Sequence, residues 1–489
     1  MGNTYLEGSF APVREELTVT DLAVTGTIPE YLDGRYLRNG PNPISEVDPA
    51  VYHWFLGDGM VHGVRLREGQ AKWYRNRWIR SPEAARALGS PPPAGRTSAP
   101  MTAPGANTNV IQHAGRTLAL VEAGPANYEL TDELDTVGYC DFDGTLPGGY
   151  TAHPKRDPET GELHAVSYFF GWGNKVQYSV IGTDGRARRT VDIEVTGSPM
   201  MHDFSLTEKH VIFYDLPVTF DPKQAVSVST PRPLRTPAKL VMSALIGRVR
   251  VPDPVSAAVG RSIPGNSVMP YAWNPRYPAR IGVMPREGTN ADVRWFDVEP
   301  CYVFHPLNAF DGDDGAGDTV VLDVVRHPRM FASDFNGPDE GQATLDRWTV
   351  DLADGKVRES RLDDHPQEFP RVDERLVGRR HRYGYAVQMK AGTGANAAGT
   401  LLKHDLSTGG VTERSFGPGH TLSEFVFAPS APDAGEDDGV LMGFVYDRAT
   451  DRSDLAILNA QTLETVAAVH LPARVPNGFH GNWAPADGL

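Results

Sequence analysis

Short apolar or alternating runs recur along the whole chain, among them Thr117–Glu122, Gly161–Phe170, His210–Tyr214, Thr319–Val325, Thr400–His404 and Val440–Tyr446. Asp-Gly, Thr-Gly-Gly and Pro-Gly turns lie between them. Runs of this kind, bounded by such turns, predict strands, and many in succession predict an all-β fold. No fixed-period repeat marks the chain, so any β-propeller here has diverged blades. Periodicity alone leaves a propeller, a pair of β-sandwiches and an irregular α+β enzyme open. Two stretches break the pattern. Residues 81–105 read as a short helix followed by a loop. Residues 222–270 are rich in Pro, Ser and Val, and within them residues 237–250 are apolar with flanking Lys239, Arg248 and Arg250. That segment is either an interfacial helix that dips into a membrane or lines a tunnel mouth, or a helix capping the β core.

Composition narrows the picture. The chain has 489 residues, 40% hydrophobic, with 40 prolines and 50 glycines, which favours turns over long helices. We expect one domain over residues 1–489, with residues 222–270 as an insertion. The net charge of -15 disfavours nucleic acid. The two cysteines, Cys140 and Cys301, make no disulfide framework, which points to a reducing cytosol. The N-terminus lacks the basic and apolar regions of a signal peptide, Leu6 breaks the myristoylation pattern, and no stretch is long and apolar enough to span a bilayer.

Four histidines sit in unusual contexts: Thr-Ala-His153-Pro-Lys, Met-His202-Asp-Phe, Phe-His305-Pro-Leu-Asn-Ala and Gly-Phe-His480-Gly. Their steps of about 50, 100 and 175 residues are unlike those of local metal motifs, whose ligands are close in sequence. The spread suits a fold whose strands converge on an axis. Four neutral imidazoles there would hold a transition metal with positions left open. The other histidines (His53, His62, His113, His164, His210, His327, His365, His381, His404, His420 and His470) are taken as core or surface residues. No His-x-Asp/Glu pair, His-Glu-x-x-His, Gly-x-Ser-x-Gly, Walker loop or dinucleotide fingerprint occurs.

Taken in order, these contexts resemble the carotenoid cleavage oxygenases, a family that includes apocarotenoid- and lignostilbene-cleaving enzymes. The resemblance runs end to end, from Gly34–Pro43 and His53–His62 through Asn107–Asn109, Leu120–Glu122, Gln367–Arg371 and Ser423–Pro429 to Pro476–Trp483. It implies a seven-bladed β-propeller, capped by short helices and loops, with Fe(II) held by His153, His202, His305 and His480. It also implies that Glu122 orients His202, Glu368 orients His305 and Glu424 orients His480, while His153 has no carboxylate. Such partners fix the tautomer and plane of a ligating imidazole. Thr108 matches the position where a small side chain crowds one open coordination site.

The implied reaction is O2-dependent scission of a C=C bond in a conjugated chain to two carbonyl products. Phe304, Phe369 and Phe479 adjoin the metal-site residues and are candidate substrate contacts, although a neighbour of an inward-facing residue on a strand faces the other way. Val121 occupies the place where lignostilbene-cleaving relatives carry a phenol-binding lysine, which tilts the substrate toward carotenoids or apocarotenoids. Cleavage of stilbenes or vinyl-phenols is the second reading, and a non-catalytic apolar-ligand carrier is a remote third. Nothing points to the retinyl-ester isomerising relatives. The expected partners are a polyene and O2, with peripheral membrane contact through residues 237–250. The expected location is the cytoplasm, peripheral to the inner face of the membrane.

Overall fold

The runs noted in the sequence form seven antiparallel blades around one axis in the computed structural model, which describes residues 2–486 apart from 102–104, 231, 253–254, 256–268, 313–317, 334–339 and 391–396. The first blade holds Gly34–Pro41, Gly59–Arg67 and Gln70–Trp78, and its inner strand is the last of the chain, Gly481–Pro485. The inner strands of the second to sixth blades are Asn109–His113, Lys155–Arg156, Phe204–Leu206, Tyr302–Gly312 and Gln367–Arg371. The seventh blade begins with His420–Leu422 and Val426–Pro429, which both pair with Gly439–Asp447. Its outer edge takes Val24–Gly26 from the N-terminus onto Thr465–His470. The ring is therefore closed twice, by a C-terminal strand in the first blade and an N-terminal strand in the last.

Burial explains the hydrophobic pattern. Strands deep in a blade are covered on both faces and read as continuous apolar runs, as in Gly439–Asp447, where only Asp447 is not buried. Outer strands alternate with solvent, as in Lys356–Asp363. The apolar clusters lie between blades; one packs Tyr36 and Val64 of the first against Phe444 and Leu455 of the seventh.

The expected helix after residue 81 is Pro82–Ala87, with Ser81 as its N-cap. The insertion begins inside the fourth blade, between His210–Asp215 and Arg280–Pro285. It holds a ribbon of Val218–Phe220 with Tyr271–Trp273, and the helices Pro222–Ser229 and Arg235–Leu245. Residues 231, 253–254 and 256–268 of the insertion lie outside the described residues. Cys140 and Cys301 are buried and unpaired with each other. Among the described residues no helix is long and apolar enough to cross a membrane.

Candidate metal centre

Each inner strand brings one polar residue to the same end of the axis. His480, Thr108, His153, His202, His305, Glu368 and Glu424 stand at or near the starts of the seven inner strands, from the first blade to the seventh. Two strands achieve this with bulges. Pairing shifts register around Pro306, next to His305, and between Glu368 and Arg371, which enclose Pro370. Proline cannot donate to the ladder, so it sits at such irregularities, and the bulge re-aims the adjacent side chain.

The loop bearing His480 is fixed by the first blade. Asn39 N donates to His480 O and Phe479 N donates to Asn39 O, both at 3.0 Å. The buried Arg38 guanidinium reaches the carbonyls of Pro476 and Phe479. Gly40 and Gly478 touch: a Cβ on either would lie 2.7 Å from the other's Cα, so neither place admits a side chain. His480 N also donates to Thr108 O at 3.0 Å.

The four imidazoles converge. One nitrogen from each lies within 4.8 Å of the other three, and all four residues are buried. Three of them are oriented from behind. His202 Nδ1 donates to Glu122 at 2.7 Å, His305 Nδ1 to Glu368 at 2.6 Å and His480 Nδ1 to Glu424 at 3.0 Å. His153 Nδ1 is 3.8 Å from Asp203, which is ion-paired to Lys155 at 3.0 Å. With their Nδ1 protons held by carboxylates, His202 and His305 turn their Nε2 atoms inward, 3.2 Å apart. His153 Nε2 has no hydrogen-bond partner. Converging imidazole nitrogens and an orphaned buried one fit a cation among the rings.

Electrostatics agree. Burial and the neighbouring imidazoles of His202, His480 and His305 hold His153 well below the ordinary histidine range. Burial lowers His480 to about 4 despite Glu424. Burial opposes the charge on Glu424, but Arg371 and His480 outweigh it and bring the carboxyl down to about 2. Glu368 is also held low, against burial, by His305 and His327. Burial opposes the charge on His305, but Glu368 outweighs it and raises that imidazole above the ordinary histidine range. The centre thus combines nitrogen donors held neutral at His153 and His480 with carboxylates held ionised at Glu368 and Glu424.

Aromatic rings cover the histidines on the other side. Phe304 stands edge-on to His202 at 5.1 Å, and Phe369 stacks on His305 at 5.6 Å with 24° between planes. Phe369 also holds φ = 54°, a left-handed conformation unfavourable for a bulky residue and characteristic of functional sites. Phe479 turns away from its neighbour His480 to pack on Trp54 and Phe55. Val121 lies in a different apolar cluster, with Leu37, Val61 and Tyr128. The Thr108 hydroxyl donates to Asn107 Oδ1 at 2.9 Å. Two residues near the centre escaped the sequence reading. His327, taken there as a core or surface residue, puts Nε2 2.8 Å from Glu368. Phe55 joins Phe304 and Phe479 in one ring cluster.

Comparison with known proteins matches this arrangement. The family described as retinal pigment epithelial membrane protein matches residues 10–485. The chain is 61% identical over 492 residues to the carotenoid cleavage oxygenase of Mycobacterium tuberculosis, covering 99% of this chain and 98% of that one. It is 32% identical over 526 residues to carotenoid 9,10(9',10')-cleavage dioxygenase 1 of Arabidopsis thaliana, covering 97% and 89%. The crystal structure of Pseudomonas brassicacearum lignostilbene dioxygenase superposes with a TM-score of 0.80 at 27% identity, covering 99% of this chain and all of that one. The extent of these matches and the four-histidine centre lead to one conclusion: the chain belongs to the retinal pigment epithelial membrane protein family, which holds the carotenoid cleavage oxygenases, and is an oxygenase that incorporates O2.

Proposed function

We propose that this protein is a non-haem Fe(II)-dependent dioxygenase that cleaves a C=C bond of a carotenoid or apocarotenoid to aldehyde or ketone products. The observation that carries the proposal is the set of four buried imidazoles, three backed by carboxylates, beneath a cover of aromatic rings. In this reading His153, His202, His305 and His480 hold the ion, and Glu122, Glu368 and Glu424 keep three of their rings in plane. Iron bound there supplies the oxygen chemistry. The chain's own groups do the rest by geometry. Phe304 and Phe369 exclude water and give a polyene an apolar surface against the histidines, and the Thr108 methyl group would limit access to the bound ion. Phe479 reaches substrate only through its contacts with Trp54 and Phe55, and Val121, buried in a separate apolar cluster, offers no group that would bind a phenol.

The proposed unit is one propeller over residues 1–489, with the 222–270 insertion at the membrane surface or tunnel mouth. Leu240, Val241 and Leu245 of the helix Arg235–Leu245 are exposed, while Met242 and Ile246 pack on the core. An exposed apolar face on a docked helix, with Lys239, Arg248 and Arg250 nearby, suits peripheral contact from the cytoplasm with a membrane that stores the substrate.

The test is product analysis by LC–MS. Fe(II)-loaded protein in air is supplied with an apocarotenal, a full-length carotenoid, a 4-hydroxystilbene and isoeugenol. Shortened apocarotenals or dialdehydes are expected. Aromatic aldehydes alone would replace this reading with phenolic-olefin cleavage, and purification without stoichiometric metal would favour a non-catalytic carrier.

A further inference from the structure

The seven inner strands enclose a second space on the axis, on the side of the histidines away from the aromatic cover. Its wall is built from residues that follow the site residues down each strand: Ile111 after Thr108, Lys155 after His153, Asn308 after His305 and Asn482 after His480. The cavity is about 110 Å³, and His153, His305 and His480 line it. Its character is opposite to that of the aromatic side, because Lys155, Asp203, Arg371, Glu374 and Glu424 all border it.

These charges form a line from solvent to ligand. The Glu374 side chain is 51% exposed and bonds Arg371 at 2.8 Å. Arg371 is largely buried and reaches Glu424 at 3.3 Å. Glu424 in turn accepts from His480 Nδ1. On another wall, Lys155 is partly exposed and pairs with the buried Asp203. Three carboxylates against two cations leave this shaft net negative, and a narrow charged passage between low-dielectric walls concentrates ions of opposite sign. A divalent cation crossing the aromatic side would have to shed its water against phenyl rings, whereas in the shaft carboxylate and amide oxygens replace that water step by step.

We propose that this axial shaft is the route by which the metal ion reaches the four histidines, with Glu374 gathering cations at the mouth and Asp203 receiving them midway. The inference rests on the four-histidine reading of the centre. It assigns the two sides of the site to two kinds of traffic, polyene on the aromatic side and the ion on the polar one.

The experiment follows Co(II) uptake by chelator-stripped full-length protein, using stopped-flow absorbance for the rate and elemental analysis for the final content. Glu374→Lys is expected to slow uptake about three- to tenfold at low ionic strength and to weaken its salt dependence. Ile111→Trp, which narrows the shaft, is expected to slow it at least about tenfold, and both variants reach the wild-type metal content. An apocarotenal added without O2 leaves the wild-type rate unchanged. Wild-type rates in both variants, or uptake blocked by the apocarotenal, would place entry on the aromatic side and overturn the route alone. A wild-type protein that binds no Co(II), or binds it equally well after His153→Ala, overturns the four-histidine reading together with the route.

Discussion

His327 ends the second strand of the fifth blade and donates Nε2 to Glu368 Oε1, while Glu368 Oε2 takes His305 Nδ1 and Phe369 N. The same imidazole stands edge-on to Phe304 at 5.3 Å. One side chain thus steadies both the carboxylate behind His305 and a ring of the aromatic cover. His327→Phe leaves a buried carboxylate oxygen without its donor, and metal affinity should fall roughly tenfold, the usual scale for groups behind a ligating histidine. His327→Gln, which restores an N–H donor, should recover most of it. Chelator competition reads the affinity and the cobalt absorption spectrum reads the geometry; an unchanged spectrum in both variants would make His327 a packing residue. His153→Ala and His480→Ala should abolish turnover and metal binding while leaving the circular dichroism spectrum of the folded protein intact. Retained activity in either would remove that histidine from the ligand set.

At the scale of the element, the starts of the inner strands carry the chemistry and the ion pairs between blades hold them in place. Asp157 follows the inner strand of the third blade, and its buried carboxylate meets Arg286 of the fourth blade at 2.9 Å. Burial alone would raise the Asp157 pKa, but Thr160, the Glu159 N–H and Arg286 outweigh it and hold the group below its ordinary value. A carboxyl depressed in the folded state stabilises it above the unfolded pKa, and that stability fades as pH falls below about 4. Asp157→Asn should cost about 1–3 kcal/mol at pH 7 and flatten the acid limb of the stability profile, as followed by urea denaturation. The insertion helix makes a separate prediction. With the exposed Leu240, Val241 and Leu245 made polar, liposome co-sedimentation should drop well below that of the parent chain; equal sedimentation would end the membrane reading. The strands were legible in the sequence because each blade alternates apolar runs with turn residues, and the observed strand Ala397–Asp405 brackets the expected Thr400–His404. The convergence of His305 was legible through its neighbours, since His305-Pro306 spells out the bulge that aims it and Glu368-Phe-Pro370 the bulge that aims its carboxylate partner. His327 and Arg371 were not, because their partners lie on adjacent blades or at the axis, and no local pattern encodes which strand ends meet there. Phe479 shows the limit of adjacency: next to His480 in sequence, it packs on Trp54 and Phe55.

Across the whole molecule, the centre joins every blade. The histidines come from the first, third, fourth and fifth blades, and the carboxylates Glu122, Glu368 and Glu424 from the second, sixth and seventh. Each hydrogen-bonded pair crosses a blade boundary: His202 with Glu122, His305 with Glu368 and His480 with Glu424. His480 also immediately precedes the strand that closes the ring, whose register sets Tyr36 against Trp483. An ion held by all four histidines would tie the closure strand to the opposite side of the propeller and would make metal binding and ring closure one equilibrium. A ligand that binds only the folded state stabilises it by about 2.7 kcal/mol at a hundred times its dissociation constant. With the unfolding entropy expected for a chain of this length, that corresponds to a rise in Tm of about 2–3 °C on reloading stripped protein. Hydrogen exchange should show where the gain falls. If the ion pins the ring, protection increases at the closing strand Gly481–Pro485 and at the starts of the third, fourth and fifth inner strands together. His153→Ala should erase both the Tm shift and the added protection, including that at Gly481–Pro485, which makes no part of the third blade. Added protection limited to the residues flanking each histidine would mean that the ion binds without coupling the blades, and ring closure would then rest on strand pairing and inter-blade packing alone.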